Sequence, residues 1–227
     1  MLIGIKDPYP GIELSSGATF GGDQRKLKSQ TLRHCGCGIV AALDLVRYFH
    51  LYHHSCKASF FTGVEDTVHL PLAVYDLCAV RMQRTFIPAL YPFGATVFSL
   101  PVGLNQYFKR YHIPLKAAWG VSKEDLWTEM ERMLRHNMPV ILSIGHQLPV
   151  LATGDGLPLY RNQGEQMVKF THVRSHYVTV LAMSDHWLKV SSWGTVYYIS
   201  RKEFLRYRDR SSLNLLCNIL KLHVIEN

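Results

Sequence analysis

The apolar residues of this chain change period partway along, and that change constrains the fold more than any other feature. Before Pro139 the clearest apolar patterns recur at three and four residues, the spacing of one helix face. After it, Val140–Ile144, His176–Met183, Trp187–Ser191 and Val196–Ile199 run apolar or alternate, as strands do. Helices first and strands later predict an α+β chain with a C-terminal antiparallel sheet. At 227 residues, with 48% hydrophobic and 19% charged residues, there is enough apolar material for one substantial core. No repeat, low-complexity tract or linker stands out, so a single domain over 1–227 is expected.

Within the first half, residues 1–33 have little periodicity and read as an irregular N-terminal arm. Ile39, Ala42, Leu43, Val46 and Phe49 then predict an amphipathic helix over about 38–51, with His50, His53 and His54 as its polar end. Helix candidates follow at 66–83 and 103–112, parted by a Pro- and Gly-containing loop. Ser122 with Asp125 resembles a capping box before a helix ending near His136. In the second half, a short helix over 202–207 and a last strand over 213–224 complete the plan. The polar segment 145–174 is long for a loop in a compact domain, and such loops tend to be functional. Its position just before His176 suggests a lid or substrate loop.

Bulk properties exclude several classes. No apolar run approaches the roughly 20 residues of a membrane helix, and Asp7 and Pro8 stand where a signal peptide needs its apolar stretch. A cytoplasmic protein is the expectation. The net charge is +8, but the basic residues are dispersed except at 201–210, so no nucleic-acid partner is expected. Five cysteines at irregular spacing fit reduced thiols better than a disulfide framework. Cys78 and Cys217 lie in apolar runs and read as core residues.

The chemistry is concentrated in Gln30-Thr31-Leu32-Arg33-His34-Cys35-Gly36-Cys37-Gly38-Ile39. It sets a thiol where a helix begins. The unpaired N–H groups and positive dipole of a helix N-terminus favour a thiolate and offer donors to a developing oxyanion. Gly36 and Gly38 leave room for a substrate carbonyl beside the backbone. Cys37 suits the helix register, with Cys35 as the alternative nucleophile. His176 follows 139 positions later at the head of an apolar strand, and Ser191-Ser192-Trp193-Gly194 lies 15 positions beyond. A zinc site from Cys35, Cys37, His53, His54 and Cys56 is a rival. An unbroken helix of about 16 residues would keep its two halves about 24 Å apart.

The order Cys at a helix start, His on a strand and Ser-Ser-Trp-Gly after the next strand resembles cysteine peptidases of the papain-like fold. There the last motif often reads Asn-Ser-Trp-Gly. Cys37-Gly38, Ala41-Ala42-Leu43 and Tyr48-Phe49 are similar to the bacteriocin-processing, double-glycine group. The resemblance implies a Cys37 nucleophile, His176 as general base and Gln30 as an oxyanion donor with the Cys37 N–H. It also implies Ser191 in the place of the Asn or Asp that orients the histidine. A peptide or small amide would be the substrate, and no cofactor or metal would be needed. Because a serine replaces Asn or Asp, an impaired enzyme or a non-catalytic binding module on the same fold is the alternative reading.

Overall fold

The computed structural model describes residues 1–145, 156–164 and 166–225. In chain order it begins with β1 (Ile3–Gly4), β2 (Gly11–Leu14), β3 (Gly17–Ala18), α1 (Gln30–Cys35), α2 (Cys37–Tyr52) and β4 (His69–Pro71). Then come α3 (Leu72–Thr85), α4 (Ser99–Arg110), β5 (Leu115–Trp119), α5 (Leu126–Arg135) and β6 (Val140–Ile144). The chain ends through β7 (Leu157–Gln163), β8 (Gln166–Val173), β9 (His176–Met183), β10 (Trp187–Ser192), β11 (Thr195–Ser200), α6 (Arg201–Ser211) and β12 (Ile219–Val224). This is an α+β protein with a large antiparallel sheet.

The chain divides into two compact units. One, the helical unit, comprises Asp7–Ala118, Trp193–Thr195 and Leu222–Asn227. The other, the sheet unit, comprises Met1–Lys6, Trp119–Ser192 and Val196–Lys221.

The helical unit is organised on α2. Its side chains are buried without interruption from Gly38 to His50, so the helix has no solvated face over that span. A helix buried on all sides must satisfy every polar group it carries, and α2 does so for Asp44 and His50. The Asp44 carboxylate accepts from the Tyr75 hydroxyl at 2.7 Å and from the Gly22 N–H at 2.8 Å. Arg47, 2% exposed, donates to the carbonyls of Glu65 and Thr67 and stacks its guanidinium over Phe61. His50 accepts from the Ala58 N–H at Nδ1, which fixes the proton on Nε2, 3.1 Å from Asp66. The expectation of a polar helix end at His50 is therefore corrected: this imidazole is buried and packed against Phe61. Beside α2, Phe60, Phe86, Tyr107 and Tyr111 form an aromatic cluster with centroids 4.8–6.3 Å apart. Edge and tilted ring contacts of this kind strengthen a core beyond simple area burial.

Residues 1–33 are not an irregular arm. They contribute β1 to the sheet unit, and β2 and β3 to a three-stranded sheet of order β3-β2-β4. These strands are two to four residues long, too short for alternation to register. The 66–83 helix starts later than expected, because His69–Pro71 is spent on β4, which pairs parallel with β2.

In the sheet unit the order is β12-β6-β9-β10-β11-β7-β8, with β1 also paired to β9. Every residue of β6 is buried, as a strand covered on both faces requires. The stripe Leu126, Met130, Met133 and Leu134 of α5 is buried as its spacing predicts. Asn137 follows at φ 59°, the left-handed position that closes many helices, and its side chain accepts from the Lys6 N–H at 2.7 Å. The segment 145–174 is corrected in part. Leu157–Gln163 and Gln166–Val173 pair as β7 and β8, while 146–155 and 165 lie outside the described residues.

Candidate active site

Cys37 is the first residue of α2, and Gly36 is its N-cap with no side-chain hydrogen bond. The first-turn N–H groups of such a helix have no intrahelical acceptor. Gly36 sits where α1 ends and α2 begins. A Cβ there would come within 2.3 Å of the Leu32 carbonyl oxygen, so the missing side chain serves the helix junction.

The five cysteines differ in environment. Cys35, Cys56, Cys78 and Cys217 are buried, and Cys37 is partly exposed. Burial pushes all four buried thiols upward from their ordinary pKa, Cys217 to about 11. Cys35 also donates its thiol to the Thr31 carbonyl at 3.1 Å. A buried thiol that is already donating is a poor nucleophile, which favours Cys37 of the pair.

Gln30 opens α1 and is exposed, and its carbonyl lies 2.8 Å from His34 Nδ1. The buried glutamine of this region is Gln24, whose Nε2 donates to the Arg33 carbonyl at 3.1 Å. In the same unit, Trp193 takes φ 48°. Its carbonyl accepts from Arg25 at 3.0 Å, and the guanidinium lies 5.8 Å from its ring. Arg25 in turn forks onto the buried Asp23 carboxylate.

His176 begins β9 and is 8% exposed. Its Nε2 shares a 2.6 Å hydrogen bond with the Ser192 hydroxyl. The expected partner was Ser191, one residue earlier. The register explains the difference. Leu188 and Lys189 pair with Met183 and Ala182, but Val190 and Ser191 pair with Val180 and Thr179, so β9 carries one extra residue at Leu181. Strand side chains alternate faces, and a one-residue slip exchanges them. Ser191 therefore shares a face with Thr179. Continuing the register sets Ser192 opposite Val178, on the face that also carries His176. Without the bulge Ser191 would have taken that place. Ser192 is the functional candidate that the sequence reading missed.

The two clusters of the zinc alternative are separated by α2, which runs unbroken for 16 residues, about 24 Å. Among the described residues no group of three or more His, Cys, Asp or Glu could hold a metal ion. No helix among them is long and apolar enough to cross a membrane. The chain matches no family model and no curated protein sequence.

Proposed function

We propose that the chain is a cysteine-dependent peptidase or amide hydrolase with a papain-like fold. The observation that carries this reading is the environment of Cys37, the one cysteine of the five that is not buried, at the head of a 16-residue helix. His176 supports it, as an imidazole anchored through Nε2 by a buried hydroxyl. Anchoring one ring nitrogen fixes the orientation of the other, Nδ1, which is the nitrogen a thiol would use.

In this mechanism His176 takes the Cys37 thiol proton and the thiolate attacks the substrate carbonyl carbon. First-turn N–H groups of α2, with Gln30 as the side-chain donor implied by the resemblance, hold the oxyanion. The tetrahedral intermediate collapses to a thioester as the protonated imidazole gives its proton to the leaving amine. Water, deprotonated by His176, then attacks the thioester. That step regenerates the thiol and releases the acid.

Incubation with a peptidyl chloromethyl ketone, followed by peptide mapping, tests the assignment. A single adduct on Cys37, absent when His176→Ala replaces the base, is expected. Labelling of Cys35, or labelling of Cys37 that ignores His176, contradicts it.

One observation favours a second reading. The hydroxyl that holds His176 Nε2 is neutral, and cannot stabilise an imidazolium as a carboxylate does. A binding module with a vestigial site would show a reactive Cys37 without turnover of any amide.

A further inference from the structure

We propose that Tyr207 is a positioning residue for His176, because its hydroxyl ties together the chain segments on either side of the open end of the β6–β9 pair. The inference rests on His176 serving as the base for Cys37, and it extends that site to a residue of α6.

His176 stands where its strand ladder ends. It is the first residue of β9, and its partner in β6, Ile144, is the last residue of that strand. On the other side, the pairing of β9 with β10 stops at Thr179 and Ser191, three residues short of the histidine. Ends of ladders open at little cost in free energy, whereas residues inside them are held from both directions. A catalytic group tolerates little of this motion, since a misplacement of about 1 Å can cost about a hundredfold in rate.

Tyr207 closes this open end. Its hydroxyl lies 2.7 Å from the Gly145 carbonyl oxygen and 3.1 Å from that of Arg174. Gly145 is the residue that follows β6, and Arg174 comes two residues before His176. A tyrosine hydroxyl carries one proton, so the two carbonyls share it and are drawn to a single point. Burial pushes this hydroxyl up to about 12, so it stays a donor across the whole range in which an imidazole titrates.

The clamp has a firm seat on both sides. Gly145 packs so closely on the backbone at Leu216 that a Cβ there would lie 2.5 Å from the Leu216 carbonyl oxygen. α6 is N-capped by the Ser200 hydroxyl, buries Phe204 and stacks Arg201 over Trp127 at 4.5 Å. Glu203 accepts from the Tyr160 hydroxyl at 2.9 Å, and Asp209 accepts from Lys123 at 2.7 Å. The helix is thus held along its length and presents Tyr207 from a fixed place. Tyr160 offers a natural comparison, since its hydroxyl also binds α6, but at Glu203 rather than at the strand ends.

Nitrogen NMR of labelled histidine side chains, with alkylation of Cys37 by iodoacetamide, tests the role on Tyr207→Phe against Tyr160→Phe. The His176 ring signals are assigned by their loss in His176→Ala. In Tyr207→Phe they should move toward the positions they take in Ser192→Ala, and alkylation at about pH 6.5 should fall about tenfold. Tyr160→Phe should change neither. Ring signals that ignore Tyr207→Phe overturn the proposal, and so does an equal response to both variants. Alkylation that His176→Ala abolishes but Tyr207→Phe leaves intact also overturns it, and leaves His176 as the base. A ring shift in Tyr207→Phe, with alkylation indifferent to His176→Ala, supports the positioning role and counts against the hydrolase reading. The wild type supplies a measurement that depends on no variant folding. Its Tyr207 hydroxyl proton should exchange slowly enough to give a resonance of its own, and exchange at the rate of an exposed tyrosine overturns the proposal.

Discussion

His176 Nε2 and Ser192 Oγ lie 2.6 Å apart and both side chains are buried. Removing the hydroxyl leaves a ring nitrogen without this partner, which costs about 1–3 kcal/mol. Ser192→Ala should lower unfolding stability in urea by that amount and slow alkylation of Cys37. Ser191→Ala should leave the alkylation rate unchanged, since Ser191 lies on the face of Thr179.

Burial pushes the Asp44 carboxyl up to about 7, despite hydrogen bonds from the Gly22 N–H and the Tyr75 hydroxyl that act the other way. A carboxyl with a raised folded-state pKa binds more protons folded than unfolded. Its contribution to stability is thus fully present below about pH 4 and lost as pH rises through about 7. Thermal melts over this range should show wild-type stability falling through that window. The fall should be shallower in Asp44→Asn, whose side chain cannot ionise. Parallel profiles would contradict this assignment.

Arg25 forks onto Asp23, whose side chain is 4% exposed, while that of Arg25 is 58% exposed. Arg25→Ala strips a buried carboxylate of its charged partner. The exposure of the arginine means that solvent already screens much of the pair. A loss of about 1–2 kcal/mol is expected from chemical denaturation, and Arg25→Lys should recover only part of it, because an ammonium cannot form the two-pronged contact.

Gly36→Ala tests the helix junction. Its Cβ would meet the Leu32 carbonyl oxygen at 2.3 Å, so α1 and α2 must separate there. A cost of about 1–3 kcal/mol is expected, as for other overpacked sites. Cys37 alkylation should change with it, because Cys37 is the next residue.

The elements with strong, long patterns were legible in the sequence. The span of β9 was read to the residue, α2 came within a residue at each end, and the apolar stripe of α5 is the buried one. Patterns say nothing, however, about polar residues buried with partners. His50 is expected at a polar helix end, yet it is buried on α2 together with Asp44 and Arg47, and hydrogen bonds to residues 22, 58, 65, 67 and 75 hold the three side chains there. The β7–β8 pair escaped because β8 is mostly exposed and its apolar residues, Met167, Val168, Phe170 and Val173, do not alternate regularly. The placing of Ser192 turns on a bulge at Leu181, in the middle of an apolar run where no residue type marks it. The positions of Cys37 at a helix start and His176 at a strand start could be read from local pattern. The choice between two adjacent serines could not.

The rate of Cys37 alkylation by iodoacetamide as a function of pH tests the central claim most directly, with modification of each cysteine followed by mass spectrometry. A nucleophile paired with His176 predicts that Cys37 reacts first, with substantial thiolate reactivity below the ordinary thiol pKa of about 8.5. In His176→Ala that low-pH reactivity should disappear and the profile should move toward an ordinary thiol. Slow, uniform modification of all five cysteines, or a Cys37 profile identical in wild type and His176→Ala, would contradict the account.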